Sequence, residues 1–82
     1  MITLRPLAAA DLAAISGIHC RACRIAYRFT GWSYSEAEVR EWYAGKLPGW
    51  DWAEVACADG EVVAYLAAIG PHVDQLFVDP EH

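Results

Sequence analysis

The chain has 82 residues and a formal charge of −5, which allows one small domain and argues against nucleic-acid binding, because Lys and Arg neutralising phosphates supply most non-specific affinity. It is 56% hydrophobic, with four Trp, four Tyr and two Phe, yet no apolar run approaches the roughly 20 residues needed to span a bilayer. The start, MITLRPL, lacks the basic and then apolar segments of a secretory signal.

Three cysteines, Cys20, Cys23 and Cys57, are an odd number for a disulfide framework. Without a signal peptide they point to a reducing cytoplasm.

Ile2 and Leu4 alternate with Thr3 and Arg5. This predicts a short first strand that stops near Pro6. Asp11 is placed to cap or open a helix. The spacing of Ile15, Ile18, Ala22, Ile25 and Phe29 predicts that the helix runs from Asp11 to Arg28 with one apolar stripe. Arg21, Arg24 and Arg28 fall roughly opposite that stripe. They read as a solvated face or as a basic wall beside an anionic ligand.

Thr30-Gly31-Trp32 breaks the pattern, and Ser35 with Glu38 three residues later forms a capping box. A second helix is expected from Glu36 to Lys46, ended by Pro48-Gly49. Trp52–Ala58 reads as a strand with Val55 and Cys57 on one face. Asp59-Gly60 is a hairpin signal, because a type I′ turn needs positive φ at both central residues. The partner strand, Glu61–Ile69, is apolar enough to be buried on both faces. Gly70-Pro71 breaks it, and a last strand covers Val73–Val78. The order β-α-α-β-β-β predicts an α+β fold: a mostly antiparallel sheet with two helices packed near it.

This order resembles the N-terminal half of a GCN5-related N-acetyltransferase, the GNAT superfamily. Three stretches carry the likeness. ITLRPLAAADLAAI is similar to the family's first strand and helix. VACADGEVVAYLAAI is similar to its second and third strands. DQLFVDPEH is similar to its fourth strand and the Leu-Tyr/Phe-Val-x-Pro-Glu/Asp-His run. The likeness covers the whole chain but about half of the family's domain, so residues 1–82 would be one partial domain. In the family a Gln/Arg-x-x-Gly-x-Gly/Ala loop follows the fourth strand and cradles the pyrophosphate of acetyl-CoA at a helix N-terminus. No two of the six glycines here form Gly-x-Gly. The resemblance therefore implies an acetyl-CoA-dependent transfer of acetyl to an amine, with weak or no acetyl-CoA binding by these residues alone.

The resemblance also implies roles for particular residues. The main chain of Leu76, Phe77 and Val78 would hold the pantetheine arm. Tyr27, Phe29, Trp32 and Tyr34 would line the acceptor side, for a small-molecule or peptide amine. His72 and Asp74 lie where some members place a general base, and His, with a pKa near 6.5, suits proton uptake from an ammonium. Plainer readings stand beside these: an exposed strand start for His72, a charge that blunts a sheet edge for Asp74, and core or loop packing for the aromatics.

Cys20-x-x-Cys23 lacks a second ligand pair, so no metal site is expected. Trp42, Trp50 and Trp52 fit either a cluster closing the second helix over the hairpin or an interaction surface. The alternative to an enzyme is a non-catalytic half-domain. An apolar last strand at a sheet edge presents unpaired N–H and C=O groups, so a homo-oligomer through Val73–Val78 is expected.

Overall fold

The computed structural model describes residues 1–81. Residue 82, the end of the DQLFVDPEH run, lies outside the described residues. The elements are β1 (Ile2–Pro6), α1 (Leu12–Ala26), α2 (Glu36–Lys46), β2 (Trp52–Ala58), β3 (Glu61–Ile69) and β4 (His72–Val78), with short 3-10 turns at Ala9–Asp11 and Leu47–Gly49. The strands form one antiparallel sheet in the order β1-β2-β3-β4. This is the expected α+β fold, with both helices on the same face of the sheet. β4 is an edge strand.

Local chemistry explains the boundaries. The Ser35 Oγ accepts from the Glu38 N–H and the Glu38 Oε1 accepts from the Ser35 N–H, both at 3.1 Å, so the capping box starts α2. Asp59 and Gly60 have φ of 51° and 86°, which closes the β2–β3 hairpin as a type I′ turn requires. Asp11 precedes α1, but its carboxylate does not cap the helix. It takes two bonds from Arg5, at 2.7 and 2.8 Å, and one from the Ala8 N–H at 2.8 Å. The Arg5 guanidinium holds the Asp11 carboxyl below the usual carboxylate range. That pair pins β1 to the start of α1.

The core lies between the helices and one sheet face. Leu12, Ile15, Ile18 and Cys20 from α1 meet Val39 and Tyr43 from α2, with Val55, Cys57 and Tyr65 beneath them. The buried side of α1 differs from the expected stripe. His19 and Cys23 are inside, whereas Ile25 is exposed and Phe29 is 89% exposed. The reason is that α1 ends at Ala26, so Phe29 is carried off the helix axis and lies under the Arg28 guanidinium instead.

Two β-bulges bend the sheet. One lies between β2 and β3, where Ala56 pairs with Ala64 and Cys57 with Val62. The other lies in β4, where Ala67 pairs with Gln75 and Ala68 with Val73. Asp74 is the extra residue of the second bulge. Bulges re-aim side chains, and Asp74 meets Trp50 and Lys46 on the helix side.

The other sheet face is uncovered among the described residues. Register places Ile2, Leu4, Ala56, Ala64, Leu66, Leu76 and Val78 on it. Leu4, Leu76 and Val78 are 68%, 63% and 59% exposed. The expectation that β3 is buried on both faces is therefore corrected. Val63, Tyr65 and Ala67 are buried, but Ala64, Leu66 and Ala68 are only half-buried, because no described element packs over them.

Candidate functional site

The site is built around His19. Its position follows from helical spacing: it lies one turn beyond Ile15 and one before Cys23, on the buried side of α1. Four rings surround the imidazole. Their centroids lie 4.7 Å (Phe77), 5.4 Å (Tyr43), 5.6 Å (Trp32) and 5.9 Å (Trp42) from its own. Each of the four comes from a different part of the chain: β4, the middle of α2, the connection between the helices, and the outer side of α2.

A buried polar chain runs from this imidazole. The His19 Nδ1 is 2.7 Å from the Tyr43 hydroxyl, which is 2.6 Å from the Tyr65 hydroxyl. The Tyr43 hydroxyl donates to Gln75 Oε1 at 3.4 Å. That contact is much longer than the other two, so the donor in each of the short bonds follows the His19 tautomer. In the tautomer whose Nδ1–H donates to Tyr43, the Nε2 of His19 keeps a lone pair. Burial lowers the His19 pKa and raises those of Tyr43 and Tyr65, so all three are neutral near pH 7.

His19 forms one wall of a cavity of about 590 Å³ between α1 and α2. Trp32, Tyr34, Val39 and Trp42 form the apolar walls, and Glu38 and Glu41 supply carboxylates. Tyr27 stacks on Trp32 with centroids 5.9 Å apart and planes 17° apart, and Tyr34 leans on Trp32 at 5.2 Å. The Trp32 Nε1 is buried without a hydrogen-bond partner, the one such side-chain N or O among the described residues.

Of the residues expected on the acceptor side, Trp32 and Tyr34 line this cavity, Tyr27 backs it, and Phe29 stands apart. Phe77 turns its ring to the helix side, against His19 and stacked on Tyr65 at 5.7 Å. Leu76 and Val78 lie on the opposite, uncovered face. His72 is exposed at the head of β4. Asp74 accepts from Trp50 Nε1 at 2.9 Å and pairs with Lys46 Nζ at 3.1 Å. The hydrogen bonds from Trp50 and Lys46 hold its carboxyl below the usual range. Sequence reasoning did not place His19, Glu38, Val39, Glu41 or Trp42 at the site. For His19 a signal was present, since it continues the Leu12–Ile15–Ser16 side of α1. Among the described residues no three His, Cys, Asp or Glu side chains gather as a metal site requires, and no helix is long and apolar enough to cross a membrane.

Opposite the cavity, Arg21 on α1 holds the end of β4. Its Nε and Nη2 donate to Asp79 at 3.2 and 2.8 Å, and Asp79 is 3% exposed. The Asp79 N–H also donates to the Val63 carbonyl at 2.7 Å. Arg21 is thus neither part of a purely solvated face nor a ligand wall.

No family model and no curated protein matches the sequence. Solved structures do match. A GCN5-related N-acetyltransferase from Rhodopseudomonas palustris superposes with a TM-score of 0.74 at 24% identity, over 98% of this chain and 54% of that one. The PaiA N-acetyltransferase of Thermoplasma acidophilum, solved with coenzyme A, gives 0.70 at 15% identity, over 100% and 61%. YncA of Salmonella typhimurium, a putative acetyltransferase solved with acetyl-CoA, gives 0.65 at 22% identity, over 99% and 53%. The fold is that of the N-terminal half of a GNAT acetyltransferase. The chain spans a little over half the length of the structures it matches. In this GNAT-like half-domain, Phe77 of β4 packs against His19, which also lines the cavity between the helices.

Proposed function

We propose that the chain carries the acceptor side of an acetyl-CoA-dependent N-acetyltransferase, and that catalysis needs the further part of the fold that the matched structures contain. The contact between Phe77 and His19 carries this reading. It brings the edge strand expected to hold the pantetheine arm against a half-open cavity with an uncharged imidazole on its wall. The main chain of Leu76, Phe77 and Val78 lies along a sheet edge, so its outward N–H and C=O groups are available to a bound acyl chain. An N–H there would polarise the thioester carbonyl. The acceptor ammonium would give its proton to His19 Nε2, the free amine would attack the carbonyl, and the sulfur would leave as the CoA thiol. His72 and Asp74 stand second for the proton, since the Asp74 carboxylate is already taken up by Lys46 and Trp50. The cytoplasm fits three cysteines that are buried as free thiols.

NMR titration with acetyl-CoA tests the reading. The expected result is a weak interaction, on the order of millimolar, that shifts the amide signals of Leu76, Phe77 and Val78. No shift along β4 overturns it. Tight binding in a calorimetric titration would show instead that these residues hold acetyl-CoA unaided.

A second reading is favoured by the uncovered sheet face. It is apolar apart from Glu54, which lies on the inner strand β2 beside Leu66, and Glu61 at the hairpin end. A second copy would cover it across a two-fold axis, so that the patch meets itself. Val73, Leu76 and Val78 of the last strand would lie in that interface.

A further inference from the structure

We propose that the cavity between α1 and α2 binds an organic cation with an apolar body: an ammonium on an aryl or bulky alkyl skeleton. The inference deepens the acceptor-side reading and depends on it for the place of the site in a reaction, but the binding itself requires no acetyl-CoA.

Three observations select this ligand class. The walls are aromatic: Trp32, Tyr34 and Trp42, with Val39 and His19. Aromatic faces attract cations as well as apolar groups. Trp42 already does so, with the Lys46 ammonium 4.8 Å from its ring centroid. The polar groups in the lining are a neutral imidazole and two carboxylates, which repels anions. Glu38 spends one oxygen on the Ser35 N–H. Glu41 makes no hydrogen bond or ion pair among the described residues, and is free to meet a cation. Lys46 is held by Asp74 at 3.1 Å and does not line the cavity. A small polar amine would leave the rings wet, and a neutral aromatic would leave the carboxylates without a counter-charge. A volume of about 590 Å³ suits one ligand of modest size.

The test uses the chain itself and its four Trp indole N–H signals. Phenethylammonium is expected to shift the Trp32 and Trp42 signals saturably and to leave Trp52, on the far sheet face, unmoved. 2-Phenylethanol, its neutral analogue, should bind about fivefold more weakly, the size of a modest cation–π term. Glu41→Gln, on the exposed side of α2, should weaken phenethylammonium about threefold, as an exposed charge contact would. The proposal is overturned if no saturable shift occurs, if 2-phenylethanol binds as well, or if the shifts fall on Trp52. Loss of this binding with the acetyl-CoA shifts along β4 intact would reject the ligand class and keep the acetyltransferase reading. The opposite pattern would reject the acetyltransferase reading and keep the cation site.

Discussion

The His19 Nδ1 and the Tyr43 hydroxyl lie 2.7 Å apart, and both side chains are buried, His19 at 8% exposure. This bond joins α1 to α2 and continues through Tyr65 and Gln75 to β3 and β4. Tyr43→Phe would take away the shared hydrogen-bond partner of two buried groups, His19 Nδ1 and the Tyr65 hydroxyl. A loss of about 2–3 kcal/mol is expected, read as a lower urea midpoint at unchanged slope. Tyr65→Phe leaves Tyr43 its other two partners and should cost about 1 kcal/mol.

Acid should weaken the fold through the same histidine. Burial holds the His19 pKa below its ordinary value. Above about pH 6.5 the imidazole is neutral in both the folded and the unfolded chain, and its contribution is whole. As pH falls, the unfolded chain takes up the proton first. Stability then declines by up to about 1.4 kcal/mol per pH unit until the folded pKa is reached. The facing groups are the neutral Tyr43 hydroxyl and the Glu38 and Glu41 carboxylates. Urea midpoints measured from about pH 7.5 down to about 5, on the wild type and on His19→Gln, should diverge in slope. Parallel curves would show that His19 takes up its proton equally in the folded and unfolded chain, against a lowered folded pKa.

Arg21 and Asp79 fasten the end of β4 to α1. Arg21→Met keeps most of the stem but leaves the Asp79 carboxylate with fewer donors in a buried place. The Arg21 side chain is 35% exposed, so water screens part of the effect, and a loss of about 1–3 kcal/mol is expected. Hydrogen exchange should rise first at the β4 amides if the clamp is local. An unchanged exchange pattern with an unchanged urea midpoint would dismiss it.

The uncovered sheet face predicts self-association. Sedimentation velocity should show a mass that rises with concentration above that of a 9.0 kDa monomer. Leu4→Lys places a charge on that face at a site already open to water, so the monomer should lose less than about 0.5 kcal/mol while the association weakens. A strictly monomeric wild type would reject the second copy as the cover.

Part of this molecule was legible from local chemistry. The Ser35–Glu38 box located α2 to the residue, because a cap is made by neighbours in sequence. Asp59-Gly60 located the hairpin for the same reason. DQLFVDPEH located the edge strand and the family whose fold the chain shares. The candidate site was only half legible. Trp32 and Tyr34 were expected on it, but His19 stood in a helix whose inward side was misjudged once Ile25 and Phe29 were counted in the stripe.

By itself, then, the sequence determined the elements, their order, the turn chemistry and the antiparallel pairing of β2 with β3. These depend on contacts a few residues apart and on side-chain periodicity. Tertiary structure alone decided what surrounds His19, because its four ring neighbours are 13 to 58 positions away in the chain. It also decided that Arg21 reaches Asp79, that a bulge turns Asp74 toward Lys46, and that one apolar face of the sheet stays open. Each of these depends on how two helices cross over one sheet face, which periodicity along a single element does not encode.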